Sequence, residues 1–132
     1  TLSGNPLAVA SGIATLSKIK NDKSFYSRLD EYTNKLCFGL SNLAKTRKIP
    51  IQINRFGSMF TCFFSETQVV DYKTAKTSDL DRFKKWFQEM LKEGIYLPPS
   101  QFEAAFVSCA HGDHDLHITL TAAEKAFSKL LN

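Results

Sequence analysis

Ile51-Gln52-Ile53-Asn54-Arg55-Phe56-Gly57-Ser58-Met59-Phe60-Thr61-Cys62-Phe63-Phe64-Ser65 is the stretch that decides the fold class. Ile51 to Phe56 alternates apolar and polar side chains, the period of a strand with one buried face. Gly57-Ser58 has the Gly-X form of a two-residue hairpin turn, whose first position takes a positive φ. Met59 to Ser65 then returns as a second strand, apolar on both faces, which predicts cover on both. Such a pair is antiparallel, and helical periodicity lies on either side of it. The expected class is therefore α+β: a small, mostly antiparallel sheet covered by helices.

Upstream, Leu29, Tyr32, Leu36, Leu40 and Leu43 step by three and four residues. They predict a long amphipathic helix ending near Lys48, weakened locally by Gly39 and stopped by Ile49-Pro50. Asn21-Asp22-Lys23-Ser24 separates it from an earlier helix. That one starts at Asn5 as N-cap with Pro6 in the first turn, and runs to about Lys20. Its small residues Ala8, Ala10, Gly12 and Ala14 suit close packing against another body. Residues 1–47 are thus read as a helical arm and 48–132 as the sheet-bearing domain, with no internal repeat or linker.

Downstream, Glu66 to Thr77 is polar and irregular. A helix over 79–92 follows, capped by Ser78 with Asp81 three residues on, and carrying Leu80, Phe83, Phe87, Met90 and Leu91 inward. Gly94 ends it. Pro98-Pro99 makes the next segment stiff and extended. Glu103 then stands alone among Phe102, Ala104, Ala105 and Phe106. A carboxylate in that company is either solvated at a turn or held in a pocket. Residues 105–110 are expected as a third strand and 113–131 as a last helix.

The composition, 132 residues with 43% hydrophobic content and 11 Phe, excludes disordered and fibrous classes. A formal charge of +4 with scattered Lys and Arg gives no basic stripe, so no nucleic-acid partner is expected. Cys37, Cys62 and Cys109 form no CxxC pair, each lies in an apolar context, and all three read as buried, reduced thiols of a cytosol-like compartment. No apolar run reaches membrane-spanning length, and no signal-like start is seen. The chain opens on Thr1 without Met, which reads as a piece of a longer protein.

His111, His114 and His117 recur at a step of three, but no cysteine or carboxylate pair completes a metal-ligand set, and no metal is expected. Nucleophile elbow, Walker loop and dinucleotide fingerprint are all lacking. The hydroxyl-rich Thr1–Asn5 loop, feeding a helix N-terminus, suits an anion such as phosphate.

Thr1-Leu2-Ser3-Gly4-Asn5-Pro6-Leu7-Ala8, Asn54-Arg55-Phe56-Gly57-Ser58-Met59-Phe60, Tyr96-Leu97-Pro98-Pro99-Ser100-Gln101-Phe102-Glu103-Ala104 and Ala110-His111 occur in this order and spacing. Together they resemble the C-terminal third of the glutamate-1-semialdehyde 2,1-aminomutase family, across essentially all 132 residues. The Pro-Pro-Ser-Gln-Phe-Glu run is specific, whereas Ser-Gly-Asn-Pro is shared with class III aminotransferases. The resemblance implies the C-terminal domain of an aspartate-aminotransferase-like, pyridoxal-phosphate (PLP) fold. It implies an isomerase that turns (S)-4-amino-5-oxopentanoate into 5-aminolevulinate for tetrapyrroles, as a cytoplasmic (or plastid) homodimer supplied by glutamyl-tRNA reductase.

Residue by residue, Thr1 matches the threonine that holds the PLP phosphate across the dimer interface. Glu103 matches a glutamate standing where related aminotransferases carry an arginine for the substrate α-carboxylate. An arginine grips a carboxylate with a fork of N–H donors, whereas a glutamate repels it and so discriminates against ordinary α-amino acids. The Schiff-base lysine would lie upstream of Thr1, so the piece alone is expected to be inactive. Gly112 departs from the family's usual Thr after the His111 position, leaving Asp113 to cap the last helix. Two other readings remain beside this one: a class III ω-aminotransferase, which an arginine at position 103 would favour, and a non-catalytic α+β interaction module.

Overall fold

The computed structural model describes residues 3–131. In chain order the elements are α1 (Pro6–Asn21), α2 (Phe25–Thr46), β1 (Gln52–Phe56), β2 (Met59–Phe63), α3 (Tyr72–Ala75), α4 (Leu80–Lys92), β3 (Ala105–Phe106) and α5 (Asp113–Lys129). The sheet runs β1-β2-β3 with both pairings antiparallel. Phe56 faces Met59 across the Gly57-Ser58 turn, and Gly57 takes φ +56°, as a tight hairpin demands.

The two faces of β2 are used differently. Phe60, Cys62 and Phe64 turn to the main core, while Phe63 is buried in a smaller cluster with Val69 and Ala75. That second cluster exists because the stretch expected to be irregular folds into α3. Its capping box joins Asp71 and Thr74: the Asp71 carboxylate accepts from the Thr74 N–H at 2.7 Å.

The main core is a stack of aromatic rings under helices α2, α4 and α5. Trp86 lies nearly parallel to Phe127 at 6.1 Å between centroids and meets Phe64 edge-on at 5.7 Å. The sequence reading carries Leu80 and Leu91 inward and passes over Trp86. In the structure Leu80 and Leu91 are about half exposed and Trp86 is 2% exposed. The cap of α4 also differs. Asp79, not Ser78, accepts from the Arg82 N–H at 2.8 Å, and Ser78 is buried instead. A carboxylate is the stronger partner for a helix N-terminus, since it adds charge to the hydrogen bond.

Helix α2 is read from sequence as part of the arm, yet it supplies Leu36, Cys37, Leu40 and Ala44 to the core. Gly39 explains part of its fit. A Cβ there would come 2.6 Å from Leu120 Cδ2, so the glycine that weakens α2 lets α5 approach closely. By contrast α1 has no buried residue, and Leu7, Ile13 and Leu16 are exposed. The joint between the helices is well made: the Asp22 carboxylate accepts from Ser24 N–H and from both terminal nitrogens of Arg28, 2.6 Å at the shorter. The Arg28 bonds, then those of Ser24, hold the Asp22 carboxyl down to about 2.

The third strand is two residues long rather than six. After Phe106, the Val107 N–H donates to Ser58 O at 2.9 Å, and the Ser108 N–H is claimed by His111 Nδ1 at 3.0 Å, which turns the chain out of the ladder. His111 therefore precedes α5. Asp115 rather than Asp113 closes the start of that helix, its Oδ2 accepting from the Gly112 N–H at 2.8 Å. No helix among the described residues is long and apolar enough to cross a membrane.

Candidate functional site

Everything around Glu103 is built from backbone devices that its sequence encodes. Gly94, at φ +83°, ends α4, and the Ile95 N–H returns to Met90 O at 2.9 Å. The chain then passes Pro98-Pro99 and folds into a turn in which the Glu103 N–H donates to Ser100 O at 3.1 Å. The Phe102 N–H donates to Ser100 Oγ at 3.2 Å. Gln101, at the centre of the turn, is 1% exposed, and its side-chain amide has no hydrogen-bond partner among the described residues. Thr61 Oγ1 donates to the Glu103 carbonyl oxygen at 3.3 Å, tying the loop to β2.

The outcome is a fixed backbone presenting a free side chain. Glu103 itself is exposed, and its carboxylate has no hydrogen-bond or ion-pair partner among the described residues. It borders a groove of ≈ 420 Å³ whose rim also includes Tyr32, Pro98, Pro99 and His111. His111 stacks on Tyr32 with centroids 6.1 Å apart, and because its Nδ1 accepts from Ser108, its Nε2 carries the proton of the neutral ring. Burial, with Asp115 and Asp113 adding to it, raises the Tyr32 hydroxyl above the ordinary phenol range. The lining of the groove is thus largely apolar and includes one carboxylate without a partner among the described residues.

Thr1 lies outside the described residues. The helix start beyond it corrects one expectation. Asn5 Oδ1 accepts from the Leu7 and Ala8 N–H groups at 3.1 and 3.2 Å, and the Val9 N–H donates to Asn5 O. Pro6 has no N–H, so the first turn of α1 offers no amide to an anion. A phosphate contact would have to come from the loop before Asn5. Among the described residues no group of His, Cys, Asp and Glu is arranged to hold a metal ion.

The thiols divide as burial dictates. Cys37 and Cys62 are buried, and burial pushes the Cys37 thiol up to about 11 and the Cys62 thiol higher still. Cys109 is exposed. In the native chain a thiol reagent at neutral pH is expected to modify one cysteine promptly, with the other two reacting only after denaturant is added. Prompt reaction of two or three would show that the core is open.

Sequence reasoning missed Tyr32, Thr61 and Gln101 as neighbours of Glu103. Tyr32 is visible only as one more helical apolar step, and Gln101 as an ordinary polar loop residue. Thr61 had the one usable signal, a hydroxyl in an otherwise apolar strand.

No protein-family model matches the chain. Curated relatives do. Over 99% of its length the chain is 53% identical to the glutamate-1-semialdehyde 2,1-aminomutase of Persephonella marina, and over 98% it is 47% identical to that of Syntrophus aciditrophicus. In each case it spans 30% of the relative's length. Among solved structures, an omega-transaminase from Sphaerobacter thermophilus superposes on the whole chain at TM-score 0.88 and 19% identity, the chain covering 30% of it. A transaminase with PLP bound superposes on 96% of the chain at TM-score 0.76, also with 19% identity, and the chain covers 28% of it. The structural likeness fixes the fold as that of a segment of PLP transaminases, which is the α+β class expected from the hairpin. At about half identity over nearly every residue, the sequence is similar to proteins named glutamate-1-semialdehyde 2,1-aminomutase, and the chain spans about 30% of their length.

Proposed function

We propose that this chain works as part of a PLP-dependent glutamate-1-semialdehyde 2,1-aminomutase, in which it supplies the substrate-selecting carboxylate and one contact to the cofactor phosphate. The observation that carries the reading is the 53% identity over 99% of the chain to a protein of that name. The net reaction moves an amino group from carbon 4 to carbon 5 of a five-carbon acid while the oxo group moves the other way. Substrate and product are isomers, so no outside amino donor or acceptor is consumed. PLP, when bound, supplies the amine-carrying and electron-withdrawing chemistry.

This chain's own residues do the selecting. Glu103 lines the groove without a cationic partner among the described residues, so an approaching α-carboxylate meets a like charge, whereas an amino group meets an acceptor. Thr1 holds the phosphate of the partner subunit's cofactor in a homodimer, through its hydroxyl and N–H. The lysine that carries the cofactor belongs to polypeptide outside this sequence, and the chain alone is inactive. The exposed apolar side chains of α1 fit the same reading, as a surface laid against that polypeptide. The enzyme acts in the cytoplasm on a small molecule delivered by glutamyl-tRNA reductase.

The test uses the full-length enzyme. It is expected to release 5-aminolevulinate from glutamate 1-semialdehyde with no added amine. Thr1→Ala should lose PLP on dialysis about tenfold faster, through loss of a hydrogen bond to a charged group. Turnover that requires an external amino donor would give the protein to the ω-aminotransferases instead. Unchanged PLP retention would remove Thr1 from the phosphate site.

A further inference from the structure

We infer that Thr61 is a positioning residue for Glu103, and so a determinant of substrate selection that does not itself line the groove. The inference rests on the proposed role of Glu103 and extends it to a residue to which that reading gives no part.

The argument begins with the ladder. β3 pairs with β2 only at Phe60↔Ala105 and Met59↔Phe106. Continued by two residues, the same register would set Glu103 opposite Cys62, and Glu103 would become an ordinary strand residue. The chain instead leaves the ladder before Ala105 and closes the Ser100–Glu103 turn. Leaving the ladder frees the Glu103 carbonyl, an exposed acceptor open to a side-chain donor. Thr61 Oγ1 provides it at 3.3 Å, from a strand position already fixed on its other side by pairing with Asn54.

Two bonds therefore hold the Glu103 backbone: the turn bond from its own N–H to Ser100 O and the side-chain bond from Thr61. Only the second connects Glu103 to the sheet. The Cβ of Glu103 branches from the Cα next to the carbonyl this hydroxyl holds, so the bond restricts the direction in which the Cα–Cβ bond leaves the loop. The carboxylate itself has no hydrogen bond among the described residues to restore its aim. Threonine suits the task twice over. Its β-branch fixes χ1 in a strand, and its hydroxyl then points at one place rather than three.

The experiment is done in the full-length enzyme, reading the ratio of kcat/KM for glutamate 1-semialdehyde to kcat/KM for an ordinary α-amino acid. Thr61→Val keeps the shape and removes the donor, and is expected to lower the ratio about fivefold, the worth of one neutral hydrogen bond. Thr61→Ser should restore at least half of the loss. Melting temperature is followed in parallel, because a purely structural role would lower it in Thr61→Val without moving the ratio, and that result overturns the inference. A double substitution separates the two levels. On a Glu103→Gln background, Thr61→Val is expected to change the ratio no further, since its effect runs through the carboxylate. If Glu103→Gln lowers the ratio and Thr61→Val does not, Thr61 has no positioning role and the role of Glu103 stands. If Glu103→Gln leaves the ratio unchanged, both are overturned.

Discussion

In the full-length enzyme, Glu103→Arg is expected to raise the preference for ordinary α-amino acids over glutamate 1-semialdehyde by about 10- to 100-fold. The change replaces a like-charge repulsion with a forked, charge-assisted pair, and hydrogen bonds to charged groups are worth roughly 1.5–3 kcal/mol. Each 1.4 kcal/mol or so is tenfold in kcat/KM. Because Glu103 is exposed and its side chain bonds to nothing among the described residues, the variant should fold as the parent does. Steady-state kinetics with the two substrates, alongside a thermal melt, provides the check. An unchanged preference in a folded enzyme would make Glu103 a solvated turn residue with no part in selection.

The other large effect concerns stability. Trp86→Ala should cost roughly 3–5 kcal/mol, the usual range for emptying an aromatic site in a packed core. For a chain of this size that lowers the melting temperature by on the order of 10–20 °C. Trp86 is the natural place for so large a loss, because Phe64, Phe83 and Phe127 all pack on its ring. Trp86→Phe should cost far less. The indole N–H is buried without a partner among the described residues, so removing it relieves an unmet donor while most of the ring volume stays. Denaturant titration of the three proteins distinguishes the cases, and an alanine variant as stable as the parent would contradict the stacked core.

The hairpin was legible because its information is local: alternation, a Gly-X turn and alternation again. The start of α1 was legible for the same reason, since Asn5 and Pro6 act within one turn of themselves. Trp86 was not, because the inward face of α4 depends on how α5 crosses it, and Leu80 and Leu91 keep the helical spacing equally well. Gly39 reads in isolation as a weak point in α2, and its use becomes clear only with Leu120 beside it. The extent of β3 was overestimated because Val107, Ser108 and Cys109 have strand-like composition. What stops the strand is a side chain, His111, taking the Ser108 N–H. At the site, Pro98-Pro99 and the lone carboxylate were visible in sequence, whereas Thr61 and Tyr32 are brought to them by the sheet and by α2.

That same early stop has a bearing on how the molecule avoids its own kind. A sheet border is a template on which a neighbouring molecule can add a strand, and long flat borders lead to clumping. Here one border is β3, only two residues long, too little to grip a stranger. The opposite border, β1, carries Arg55, held at 2.5 Å by Asp30, a charge that an incoming strand would have to accommodate. Both margins of this small sheet are therefore poor seeds for fibre growth.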